Sequence, residues 1–131
     1  MKKIILILGA ISIMAVVLIG VFIMQLGEKQ KNDMKALGYE EIDMSKMESG
    51  DYEGIAETTL VKVTVTVTVL DHQITDIVIN RHENGKGQAA NAIVKSMIEQ
   101  NNWNVDGISG ATTSSNVIKS AVSNALSKGI K

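Results

Sequence analysis

Residues 60–70, LVKVTVTVTVL, decide how the chain folds. Val61, Val63, Val65, Val67 and Val69 alternate with Lys62, Thr64, Thr66 and Thr68. A period of two in β-branched residues is the pattern of a strand with one buried and one hydrated face. Working outward, Asp71-His72-Gln73 is a polar break that reads as a hairpin turn, and residues 74–80 (ITDIVIN) read as the partner strand. On the other side, Gly50-Asp51 marks a turn, and residues 52–59 supply an earlier strand. Three antiparallel strands in a meander are the economical arrangement.

The valine face needs a cover, and the C-terminal half provides it. Residues 81–87 (RHENGKG) read as a loop with glycines at 85 and 87. Residues 88–100 follow as a helix with apolar positions Ala89, Ala90, Ile93, Val94, Met97 and Ile98. The same spacing returns at Val117, Ile118, Ala121, Val122, Ala125 and Leu126, with Gly129 as a stop and Ser114 or Ser115 at the expected N-cap. Each helix has one apolar stripe to bury on the sheet. The expected class is α+β: a small antiparallel sheet of three or more strands packed by two helices.

Ahead of this unit, residues 4–24 (IILILGAISIMAVVLIGVFIM) hold no charge. As a helix the run extends about 30 Å, the thickness of a bilayer's hydrocarbon core. Lys2 and Lys3 precede it, and Met24-Gln25-Leu26-Gly27-Glu28 is a poor signal-peptidase site, so an uncleaved transmembrane anchor is favoured over a cleaved signal. The positive-inside rule then puts the N-terminus in the cytoplasm and the C-terminal domain outside the cytoplasmic membrane. The expected division is an anchor over 1–27, a stalk over 28–48 and a folded domain over 49–131. Residues 34–47 (MKALGYEEIDMSKM) read as a helical turn or two, interrupted by Gly38.

Composition narrows the function. The net charge is −1, and once Lys2 and Lys3 are set aside, 11 of the 13 basic residues face 14 acidic ones. No basic stripe is present, which argues against nucleic acid as a partner. With no cysteine there is no disulfide, thiolate or lipoprotein chemistry. No nucleophile triad, general base or metal cluster stands out, so no catalytic or metal-binding residue is nominated.

The chemically suggestive stretch is residues 106–115, DGISGATTSS. It places five hydroxyl residues and two glycines ahead of a helix. A helix N-terminus offers free N–H groups and a positive dipole end, a favourable place for phosphate. On spacing alone, a cap and turn is the plainer reading.

Residues 106–112, DGISGAT, resemble the flavinylation motif of the FMN-binding domain family, which includes FMN-carrying subunits of the sodium-pumping NADH:quinone oxidoreductase and the Rnf complex. In that family a flavin transferase cleaves FAD and leaves FMN joined through its phosphate to the last threonine of the motif. The resemblance implies Thr112 as acceptor, Asp106 and Ser109 as recognition residues, and Gly110 and Ala111 as the tight turn, with Thr113 beside it. It extends over residues 49–127: SGDYEGIAET resembles the opening strand, the Val/Thr strand and QITDIVI the central hairpin, RHENGKGQAANAIVKSMIEQN the loop and first helix, and SSNVIKSAVSNAL the closing helix. Two features depart from the pattern: there is no Thr-Pro-Gly type loop, and the hairpin turn has Asp-His-Gln where the family commonly has a glycine.

Two further residues are candidates for the cofactor. Trp103, three positions before Asp106, reads either as a flavin contact or as a half-buried core residue, and His82 either as a contact to flavin or phosphate or as a solvated side chain. The implied function is a membrane-anchored, extracytoplasmic electron carrier with covalent FMN. Its implied partners are a flavin transferase, a membrane redox partner (a quinone-linked or Rnf-like donor) and lipid around the anchor. Non-covalent FMN binding and a flavin-free anchored scaffold of the same fold are the alternatives. An electron-transfer domain suits the residues better than a self-sufficient enzyme.

Overall fold

In the computed structural model, which describes residues 1–83 and 92–130, the alternating run is the central strand of a three-stranded sheet. Strands β1 (Gly50–Glu57), β2 (Lys62–Leu70) and β3 (Gln73–Glu83) pair antiparallel in the order β1-β2-β3. Val63, Val65, Val67 and Val69 are buried, as the alternation predicts, while the threonines between them are half-buried on the other face. The β2–β3 connection is a two-residue loop, because Leu70 pairs with Gln73. Asp71 and His72 both have positive φ, 50° and 64°. That is the backbone sense of a type I′ hairpin, and Asp and His enter this region more readily than most side chains. The hairpin therefore forms here without the family's usual glycine.

Helices α1 (Lys2–Ala36), α2 (Ile93–Gln100) and α3 (Thr112–Ser127) are the α-helices among the described residues. Residues 88–91, the first part of the expected first helix, and the loop glycines Gly85 and Gly87 lie outside the described residues. From α2, Ile93 and Met97 enter the core against β3. Left-handed Asn101 closes α2, with its N–H on Ile98 O (3.2 Å) and the Asn102 N–H on Met97 O (3.0 Å). The Asn101 side chain also accepts from Ile74 N (2.7 Å) and donates to His72 O (3.0 Å), tying α2 to the β2–β3 hairpin.

α3 fills the valine face. Val117, Ile118, Ala121, Val122, Ala125 and Leu126 are all buried, matching the expected stripe. Its approach to β1 is very close. A Cβ on Gly54 would stand 2.6 Å from Ala125 N and 2.8 Å from Ala125 Cβ, and closer still to the Ala121 carbonyl oxygen. Glycine at 54 and alanines at 121 and 125 let strand and helix touch along their backbones.

Two expectations are corrected. β3 runs to Glu83, so Arg81 and His82 belong to a strand rather than a loop, paired with Thr64 and Val63. The helical stretch expected within 34–47 divides in two: α1 continues to Ala36, and a single 3₁₀ turn forms at Met44–Lys46, capped by Asp43, whose carboxylate accepts from Ser45 N (3.0 Å) and Ser45 Oγ (2.6 Å). Between them the chain packs on the domain. Ser120 Oγ donates to Gly38 O (2.6 Å), Glu40 N donates to Ser123 Oγ (3.1 Å), and Met47 forms a β-bridge with Ile130. Met47 is buried, and Leu37, Ile42 and Met44 pack against the core.

α1 is long and apolar enough to cross a membrane, and none of its residues is buried within the protein. Its last turns grip the β1–β2 turn. Asp33 accepts from Thr59 N (2.6 Å) and from the Thr59 hydroxyl, and Gln30 Oε1 accepts from Leu60 N (3.1 Å). Asp33→Ala removes the one carboxylate oxygen that accepts both Thr59 bonds and frees the Thr59 amide. Faster hydrogen exchange at Thr59 and Leu60, with β2 amides unchanged, is the expected result; unchanged exchange at Thr59 would show that this clamp does not persist in solution.

Candidate functional site

The hydroxyl-rich stretch forms the entry into α3. A turn closes at Ile108, whose carbonyl accepts from Ala111 N (3.0 Å), and Gly110 takes φ = +80° within it. That conformation is left-handed and suits glycine, and the space around Gly110 is open. The helix then starts at Thr112, with Ala111 as N-cap and Ser115 N donating to Ala111 O (2.9 Å) as its first intrahelical bond.

This corrects the expected cap. Ser114 and Ser115 are not ahead of the helix but inside its first turn, and both are buried. Ser115 Oγ reaches back to accept from Ile108 N (3.0 Å), so it braces the loop instead of capping the helix. A Cβ on Gly107 would stand at ordinary contact distance, 3.4 Å, from Ser115 Cβ. Ser115→Ala leaves the partly buried Ile108 N–H without its acceptor, and a loss of about 1–3 kcal/mol in urea unfolding is expected, the range for stranding a buried polar group. A loss within error would mean that water replaces the hydroxyl.

With the serines turned inward, Thr112 and Thr113 are left exposed on the first turn. No side chain caps that end. The first N–H groups of a helix have no intrahelical partner, so this start offers backbone donors on the same turn as the two threonine hydroxyls. Asp106, Ser109 and Gly110 are exposed just ahead of the turn, while Ala111 is buried and pins it to the core. The arrangement offers a hydroxyl, backbone donors and a positive dipole end at one point, which fits a phosphate ester.

Trp103 lies along α3 from this point. Its ring stacks on Tyr39 with centroids 5.5 Å apart and planes 16° apart, and Lys119 Nζ is 6.0 Å from its centroid, at the limit of a cation–π contact. The Tyr39 hydroxyl is 3.4 Å from Asn116 O, a long hydrogen bond. Partial burial pushes the Tyr39 phenol up from its ordinary value. Thr112, Asn116 and Lys119 fall at i, i+4 and i+7, one stripe of the helix. The aromatic pair therefore borders the stripe that begins at Thr112. Tyr39 was not nominated from the sequence, where it stands 64 positions from Trp103 in a segment with no apolar period. His82, by contrast, is half-buried on β3, opposite Val63.

The family profile of the FMN-binding domain matches residues 60–127. This chain belongs to the FMN-binding domain family. The match covers β2, β3, α2 and α3, and includes every motif position from Asp106 to Thr112. β1 precedes the matched range but completes the same sheet. No curated protein and no solved structure matches the chain. As a member of this family the protein carries a flavin-binding domain with FMN as cofactor. Among the described residues there is no group of three or more His, Cys, Asp or Glu able to hold a metal ion.

Proposed function

We propose that the protein is a membrane-anchored flavoprotein electron carrier with FMN joined through a phosphoester to Thr112, the domain facing the outside of the cytoplasmic membrane. The observation that carries this reading is the exposed Thr112 at an uncapped helix start, seven residues into a family motif whose last position is the acceptor threonine. In maturation the Thr112 Oγ bonds to the FMN-side phosphorus of FAD. The pyrophosphate linkage breaks, AMP leaves, and the hydroxyl proton passes to the transferase or solvent. Asp106 and Ser109, exposed on the approach, are the recognition residues for that transferase.

When bound, FMN supplies one- or two-electron chemistry; the residues of the chain supply position and environment. Thr112 fixes the phosphate, and the α3 N-terminal amides stabilise its charge. Thr113 stands beside it as a second hydroxyl donor. Trp103 and Tyr39 offer an aromatic wall bordering the same stripe, the surface a flat heteroaromatic ring prefers, with Lys119 as a nearby cation. His82 receives no role at the phosphate. A transferase and a membrane-embedded redox donor are the partners this reading requires.

The test is the intact mass of the full chain co-expressed with a flavin transferase, alongside its visible spectrum. An FMN-sized increment supports the covalent carrier. Flavin absorbance without the increment would instead support reversible FMN binding, and neither signal would leave an anchored scaffold.

A further inference from the structure

The direction of α3 can be read residue by residue against β1. Gly129 lies against the Tyr52 ring, Lys128 Nζ donates to Glu53 O, Ala121 and Ala125 meet Gly54, and Asn124 Nδ2 donates to Ile55 O (3.0 Å). As β1 descends towards its turn with β2, α3 is met at successively lower numbers. Its N-terminus therefore points to the β1–β2 turn end of the domain.

α1 enters from that same end. Gln30 binds Leu60 and Asp33 binds Thr59, both in the β1–β2 turn, and only then does Gly38 reach Ser120 on α3. α1 and α3 thus run in the same sense. From Ser120 back to Thr112 is eight residues, and from Ala36 back to Met24, where the apolar run ends, is twelve. At the helical rise these are about 12 Å and about 18 Å. Thr112 lies about level with residues 27–30 of α1, just above the end of the apolar run. The polar headgroup layer begins where the apolar run ends and spans that height, since it adds about 5–7 Å to each side of the hydrocarbon core. The end itself carries Leu60, which is 46% exposed, together with charges of both signs from Glu28, Lys29, Lys31, Glu57, Lys62 and Asp106.

We infer that this end of the domain, formed by the β1–β2 turn and the first turn of α3, rests on the lipid headgroup surface, so that Thr112 faces the bilayer. The occupant is the lipid surface because α1 carries the turn to that height and holds it there. The mixed charge means contact is set by position, with no requirement for acidic lipid. A cofactor on Thr112 is thereby presented to redox partners embedded or dissolved in the membrane. The inference rests on the proposed anchor and attachment residue.

The absence of native cysteine makes the test direct. Single-cysteine variants Leu60→Cys, Ser109→Cys, Leu70→Cys and Ile13→Cys of the full chain are labelled with an environment-sensitive fluorophore and placed in phosphatidylcholine nanodiscs. Nitroxides carried on the headgroup or at mid-chain serve as quenchers. Labels at 60 and 109 are expected to be quenched by the headgroup nitroxide several-fold more than the label at 70, at the opposite end of β2, while the label at 13 is quenched by the mid-chain nitroxide. If 13 is quenched but 60 and 109 are no more quenched than 70, the docking inference falls and the anchor stands. If 13 is not quenched either, the anchor falls and the inference with it. A circular dichroism spectrum common to all four variants guards against misfolding.

Discussion

With FMN attached as proposed, Thr112→Val is expected to abolish the FMN-sized mass increment completely, while Thr113→Val retains it. Valine has nearly the shape of threonine but lacks the nucleophilic oxygen, and position 112 is exposed, so the change costs the fold little. Helix α3 keeps its start, because Ala111 O still accepts from Ser115 N. Loss of the increment therefore reports the missing hydroxyl and not a damaged site. The neighbouring control matters because both threonines are exposed on the same turn. An increment that survives in Thr112→Val and vanishes in Thr113→Val would move the attachment by one residue and break the match to the family motif. A second readout is in-gel fluorescence after denaturation, which only covalently held flavin survives.

The second large effect is expected at Gly54. An added methyl there would stand 2.6 Å from Ala125 N, within the contact distance of any carbon, and the Ala121 carbonyl is nearer still. Both neighbours are backbone on a helix buried along most of its length, so neither can turn aside as a flexible side chain does. Strand and helix must separate, and the valine face loses part of its cover. Overpacking of this kind costs typically 1–3 kcal/mol and occasionally more, and Gly54→Ala is expected near the upper end, about 3 kcal/mol. Gly38→Ala is the control: nothing lies within 4 Å of its Cβ position, and a change under about 0.5 kcal/mol is expected. Trp103, the single tryptophan, reports unfolding in both. Equal stability of the two variants would mean that β1 and α3 are less closely packed than the structure has them.

The sheet was legible in the sequence because its two faces meet different solvents. The alternation of valine and threonine encodes that difference directly, and it places β2 and its neighbours with only small shifts at the ends. The stripes of α2 and α3 are legible for the same reason. The start of α3 was not. Serine is favoured both as an N-cap and as a small side chain whose hydroxyl binds nearby backbone, and sequence alone does not separate these uses. Here Ser115 spends its hydroxyl on the loop amide of Ile108, and alanine serves as the cap. The packing of residues 37–47 was also hidden. An extended strap has no helical or strand period, so Leu37, Ile42, Met44 and Met47 look scattered until the helix they cover is in place. The motif identifies Thr112 by resemblance, but the stack of Tyr39 on Trp103 depends on that strap and is visible only in three dimensions.

The strap has a consequence for the order in which the protein matures. Residues 38–47 make their bonds to residues 120–130, so the first part of the folded domain to be synthesised is held by the last. Contacts so far apart in sequence form late, because a long stretch of chain must be ordered before they are gained. During synthesis the three strands emerge with their valine face uncovered, and the recognition loop emerges before the helix that shapes it. Only when residues up to Ile130 have been delivered can α3 settle, Ser115 brace the loop and Thr112 take its place on the first turn. Under the proposed attachment, a modifying enzyme that reads the shape of this loop would act on the finished chain, and cofactor attachment would be a checkpoint on completed folding.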